Sequence, residues 1–120
     1  MNNSENSLET HEEDTQKTRE LNDLFRLTFV GGRVMLTSGI SSLPAETVQN
    51  ILARVQKFDD FSSDNDPRKE HDFGNFTLKD GTKVFWKIDY YNESMTCRSE
   101  NPANPKETIR VLTVMLADEY

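Results

Sequence analysis

"FGNFTLKDGTKVFWKIDYY", residues 73–91, is the stretch on which the fold turns. Two runs of alternating apolar residues flank Asp80-Gly81, a dipeptide that strongly marks a β-hairpin. Loop length then decides which side chains share a face. A two-residue loop would set Phe76 against Phe85 and Leu78 against Lys83, scattering apolar groups over both faces. A three-residue loop, Lys79-Asp80-Gly81, sets Phe76 against Val84 and Leu78 against Thr82. Phe76, Leu78, Val84, Trp86 and Ile88 then make one buried face. Burial therefore selects this register, with a type I turn and a left-handed Gly81. The other face carries Phe73, Phe85, Lys87, Asp89 and Tyr91, and the register puts His71 across from Asp89 on that side.

Upstream of the hairpin, Ser41 and Ser42 precede Leu43 and Pro44, the usual order at a helix start. The helix is expected to run to about Phe58, with Val48, Ile51, Leu52, Val55 and Phe58 on one stripe. Before it, Gly31-Gly32 breaks the chain and "RVMLTSGI" alternates with β-branched content, a strand from Arg33 to about Ser38. Leu21, Leu24 and Phe25 are spaced i, i+3, i+4 among charged residues, an amphipathic helix from Thr15 to about Leu27. Downstream, residues 92–107 form a polar loop interrupted by Pro102 and Pro105. "TIRVLTVML", 108–116, is apolar on both faces, as a central strand would be.

The element order is thus α-β-α-β-β-β. These parts predict an α+β domain with two helices on one face of a mostly antiparallel sheet of about four strands. Residues 16–120 are read as this single domain. Residues 1–15, polar and acidic with Leu8 as their only large aliphatic group after Met1, are read as a disordered tail.

The composition narrows the function. Fourteen Lys and Arg stand against 21 Asp and Glu, for a net charge of −7 and a pI near 4.8. Direct nucleic-acid binding is disfavoured by that balance, whereas a basic protein surface suits it. No apolar stretch approaches the roughly 20 residues needed to span a bilayer, and the start lacks a signal peptide's apolar run. A cytoplasmic protein away from the membrane is expected. Cys97 is the single cysteine, so no internal disulfide can form, and with His11 and His71 it makes too few ligands for a Cys/His zinc site. No metal and no cofactor is expected.

Candidate site residues gather in "DNDPRKEHDFG", 64–74. Asp64, Asp66, Glu70 and Asp72 are carboxylates at nearly alternate positions, a pattern that could hold Mg²⁺ or Ca²⁺. Arg68 and Lys69 fall where a calcium loop needs a ligand and a glycine, so that template fails. The plainer reading is that Asp64 and Asp66 cap a turn into Pro67. His71 with Asp72 or Asp89 could act as a general base with its orienting carboxylate. No nucleophile accompanies them, and a structural histidine bonded across a strand pair is the simpler assignment. On the other sheet face, Phe73, Phe85 and Tyr91 beside Lys87 and Asp89 form an apolar patch with charged neighbours, which suits a protein partner better than catalysis.

The blocks "LNDLFR", "GGRVMLTSGI", "LPAETVQNIL", "FDDFSSDNDP", "EHDFG", "VFWKIDYY" and "RVLTVMLADEY" resemble those of a family of short bacterial proteins classified only as a domain of unknown function. The resemblance covers about residues 18–120, and Arg68-Lys69 departs from the Tyr-Gly associated with that place. Members resemble cargo of plasmids and integrated elements, often near antirestriction genes. The resemblance implies a role in the element's survival, and it transfers no catalytic residue.

Together these readings favour a non-enzymatic interaction protein of mobile elements. It would counter host defence by binding a nuclease or its complex, with DNA mimicry as one route. The expected contact surface comprises Asp64, Asp66, Glu70, Asp72, Asp89 and Tyr91. The alternative is a small metal-dependent hydrolase or nuclease using His71, Asp72 and Asp89. A homodimer would arise if "TIRVLTVML" lay at a sheet edge.

Overall fold

The hairpin forms in the register that burial selects. Phe76 pairs with Val84, Asn75 with Phe85 and Gly74 with Trp86, and the Leu78 N–H donates to the Thr82 carbonyl. Gly81 closes the turn at φ +93°, a conformation that glycine adopts without steric cost, and its N–H donates to the Leu78 carbonyl. The computed structural model describes the backbone of residues 3–120 and the side chains of residues 10–120.

Its elements are α1 (Asn3–Thr28), β1 (Gly32–Leu36), α2 (Ser38–Ser41), α3 (Ala45–Gln56), β2 (Phe73–Thr77), β3 (Lys83–Tyr91) and β4 (Ile109–Leu116), followed by a 3₁₀ turn at Ala117–Glu119. The sheet has four strands in the order β1-β4-β3-β2. β4 is interior, as its two-sided apolar pattern requires, and so presents no edge to a second copy. β2–β3 and β3–β4 are antiparallel, but β1 runs parallel to β4. The sheet is therefore mixed. The chain leaving β1 passes through α3 before returning to the sheet, and a connection carrying a helix allows a parallel pairing that a tight turn does not.

One face of the sheet is covered. Val84, Trp86, Ile88 and Tyr90 of β3 and Leu112 and Val114 of β4 are buried with Phe25 of α1, Ile40 of α2, and Ile51 and Val55 of α3. The helix read upstream of the hairpin is α3, which ends at Gln56, and α2 is an additional short helix before its start. α2 ends at Ser41, and Pro44 stands before the first turn of α3, where its missing N–H costs no hydrogen bond.

α1 departs most from its apolar pattern. Leu24 and Leu27 are 59% and 60% exposed. The buried side is Thr18, Asn22, Phe25 and Arg26, spaced i, i+4, i+7, i+8, so the inward stripe is mostly polar. The sheet beneath explains this, because Tyr90 and Arg110 bring polar atoms to the covered face and need partners there. The helical backbone begins at Asn3, ahead of the Thr15 start given by the apolar spacing. Neither proline nor glycine interrupts it, and the described side chains from Thr10 to Asp14 are exposed. Residues 1 and 2, part of the segment read as a disordered tail, lie outside the described residues. No helix among the described residues is long and apolar enough to cross a membrane.

Candidate functional site

The loop from Asp59 to Asp72 is held down by α1. Arg19 donates to the Lys69 carbonyl at 3.1 Å, and Asn22 Nδ2 donates to the Glu70 carbonyl at 3.0 Å. Lys69 and His71 both take positive φ, near +59° and +56°, a conformation costly for side-chain-bearing residues that these external bonds maintain. The turn at His71 has a direct consequence. Its ring does not continue along the uncovered face toward Asp89 but swings to the helix side.

There Nδ1 of His71 lies 2.8 Å from Asp23 Oδ1, and Nε2 lies 3.6 Å from Asp66 Oδ2. The ring stacks on Phe61 with centroids 3.7 Å apart. Asp23 also accepts from Arg26, whose guanidinium lies about 5 Å from the Phe61 and Trp86 ring centroids. The histidine is thus a clamp between α1 and the loop. The structure does not bring it together with Asp89, which pairs with Lys87 at 3.1 Å. Among the described residues, no three His, Cys, Asp or Glu side chains gather as a metal-holding group.

Beneath the clamp lies a buried polar cluster that sequence reading missed. Asn22 Nδ2 donates to Tyr90 Oη at 2.7 Å, and Arg110 Nε donates to Asn22 Oδ1 at 2.7 Å. Burial lowers the pKa of the Arg110 guanidinium, and burial beside Asp72 and Glu70 pushes that of the Tyr90 phenol far up. Two sequence signals were available. Arg110 interrupts an otherwise apolar strand at a position facing the helices, and Asn22 shares a helical face with Phe25 and Arg26.

The uncovered face ends in a cleft of about 570 Å³. Asp64, Asn65, Pro67 and Arg68 of the loop form one wall, with Asp72, Phe73 and residues 87–91 below, and Arg98 and Tyr120 complete the lining. Tyr120 is held over this face by the terminal turn. Glu119 accepts from Thr37 Oγ1 at 2.6 Å, from the Leu116 N–H at 2.9 Å and from the Gly39 N–H at 3.0 Å, which lowers its pKa. The Tyr120 ring then packs on Phe73 and Phe85 at centroid distances of 5.9 and 5.5 Å.

Of the expected contact residues, the cleft brings together Asp64, Asp72, Asp89 and Tyr91. Asp66 is buried instead, accepting from the His71 N–H at 3.2 Å, and Glu70 is half-buried outside the lining. The reason is the turn through Lys69 and His71, which sends alternate carboxylates inward. The cleft also holds three cations, Arg68, Lys87 and Arg98, that the acidic reading did not include.

Burial raises the pKa of Asp72, opposed by nearby Arg68, and burial together with Asp72 raises that of Glu70. The folded state holds these protons more tightly than the unfolded chain. These two groups therefore make stability fall as pH rises from the unfolded value through the folded one. Asp72→Asn is expected to keep the contact to Tyr90 Oη, match or exceed the wild-type melting temperature at pH 7, and flatten the stability change between pH 7 and the ordinary carboxylate range. Thermal unfolding across a pH series measures both effects, and a steepened profile would contradict the burial assignment.

A family model described as "Protein of unknown function (DUF3768)" matches residues 36–119. The chain belongs to this family. In this DUF3768 member the matched span holds the whole cleft lining apart from Tyr120, while α1, which supplies Asn22, Asp23 and Arg26, precedes it. Neither a curated protein nor a solved structure gives a significant match.

Proposed function

We propose that this DUF3768 chain is a non-enzymatic interaction protein of bacterial mobile elements, acting in the cytoplasm against host defence by binding a nuclease or its complex. One observation carries the reading. The sheet face left uncovered by the helices ends in an aromatic-lined cleft in which Asp64, Asp72 and Asp89 stand among Arg68, Lys87 and Arg98. Aromatic anchors ringed by charges of both signs are the chemistry of protein recognition, where the charges set orientation and partner choice. His71, by contrast, is engaged by Asp23, Asp66 and Phe61. The mobile-element and defence parts of the proposal rest on the resemblance to plasmid cargo.

The mixed charge refines how binding would occur. A partner surface with both basic and acidic side chains is complementary to this cleft. A groove built for phosphates would meet Arg68, Lys87 and Arg98 as like charges, so direct imitation of DNA is the weaker route.

The test is capture from a host lysate on the tagged chain, beside a variant carrying Asp64→Asn, Asp72→Asn and Asp89→Asn. Asp66 is left intact because it is buried against His71. The wild type is expected to retain a nuclease or defence complex, and the variant, folded by circular dichroism, to retain at least tenfold less. Equal retention by both forms, or no defence protein retained by either, would overturn the proposal.

A further inference from the structure

The outer edge of β2 lies away from the cleft and has a different architecture. In an antiparallel pair, successive residues turn their backbone N–H and C=O alternately toward the partner strand and away from it. The Leu78 N–H reaches the Thr82 carbonyl and the Ile88 N–H reaches the Asp72 carbonyl, so the even-numbered residues of this strand face β3. Asn75 and Thr77 therefore turn their backbone groups outward. Beside them runs a groove of about 1000 Å³ between β2 and α3, walled by Ala53, Arg54 and Lys57 and floored by Phe76.

We infer that this groove takes an extended peptide segment of a partner protein as a fifth, antiparallel strand, with a basic residue at the end beside Asp59 and Asp60.

Three observations support the assignment. First, Arg54 Nη1 already donates to the outward Thr77 carbonyl at 3.1 Å, while its guanidinium lies 4.3 Å from the Phe76 ring centroid. A side chain from the helix thus occupies the place of an added strand's N–H, leaving the Thr77 N–H and both Asn75 groups for the peptide. Second, the end of α3 runs antiparallel to β2, since Arg54 in its last turn meets Thr77 and Phe58 beyond its end lies over Gly74. The groove is therefore a straight channel beside the edge, the setting in which strands add to sheets. Third, the two ends differ in charge, since Lys79 and Asp80 balance at the turn while Asp59 and Asp60 outnumber Lys57 at the other end. Asp59 and Asp60 are without an ion pair among the described residues. A second copy is the poorer occupant, because each chain carries a net charge of −7.

Selection of displayed random ten-residue peptides on the full chain tests this. Enriched sequences are expected to alternate apolar with polar residues and to end in Lys or Arg. Asn75→Pro removes an outward N–H that the fold does not use, so it should weaken their binding at least tenfold while leaving the circular dichroism unchanged. Should that variant fail to fold, Ala53→Glu, which fills the helix wall, carries the same expectation. Asp59→Lys with Asp60→Lys should exchange the selected basic residue for an acidic one. Three outcomes would overturn the inference: no enrichment, undiminished binding to the blocked edge, or a concentration-dependent dimer abolished by Asn75→Pro, which would assign the edge to a second copy.

Discussion

Asn22→Ala is expected to lower the free energy of unfolding by about 2–4 kcal/mol, because leaving a buried polar group without its partner costs about 1–3 kcal/mol, and more when that group is charged. Asn22 is fully buried and does three things at once. It accepts from Arg110 Nε, donates to Tyr90 Oη and donates to the Glu70 carbonyl. Alanine would leave a buried guanidinium and phenol without those bonds and free the strained segment around Glu70 from α1. Urea denaturation measures the loss, and pairing the change with Arg110→Met should recover part of it, because the desolvated charge is then gone. A loss below about 1 kcal/mol, the net worth of one ordinary hydrogen bond, would show that the cluster does not hold the helix.

Gly74→Ala is expected to damage the fold severely. Gly74 stands directly opposite Trp86 in the β2–β3 ladder. A Cβ there would lie 2.5 Å from Trp86 Nε1 and 2.7 Å from the Phe58 ring. Neither ring has an easy retreat, since Phe58 packs edge-on against both Phe61 and Trp86, and Phe61 carries the His71 stack. Overpacking of this kind costs about 1–3 kcal/mol when neighbours can shift, and more when they cannot. We expect the upper end of that range or failure to accumulate as folded protein. A melting temperature within a degree or two of wild type would mean that the aromatic cluster is loosely packed.

The same residues show what the sequence could and could not disclose. The hairpin was legible because only one register buries Phe76, Val84, Trp86 and Ile88 together, and that constraint is local. The central position of β4 was legible from its apolar character on both sides. The parallel pairing of β1 was not, since strand direction depends on where α3 delivers the chain, which no local pattern encodes. The leucines of α1 misled for a related reason. Apolar spacing marks the buried face only when the surface beneath is apolar, and here Tyr90 and Arg110 made Asn22 the better fit, while Arg26 is buried against the Phe58 carbonyl and the Phe61 and Trp86 rings.

The candidate site divides in the same way. Asp89 and Tyr91 belong to the uncovered face by strand alternation, and both line the cleft. His71 was assigned to that face by extending the alternation two residues beyond β2, but its positive φ reverses the side it faces. Asp66 followed it inward. Arg98 and Tyr120 entered the cleft from a loop and a terminal turn, through contacts such as the Glu119 clasp that link residues about 80 positions apart. Such contacts leave no periodic trace.

The most direct test of the account is backbone hydrogen exchange on the chain, free and in complex with the partner it captures. Slowed exchange is expected to concentrate around the cleft, at 64–68, 87–91 and 98, with little change along the exposed faces of α1. Protection confined to other surfaces, with the cleft amides exchanging as in the free chain, would contradict it.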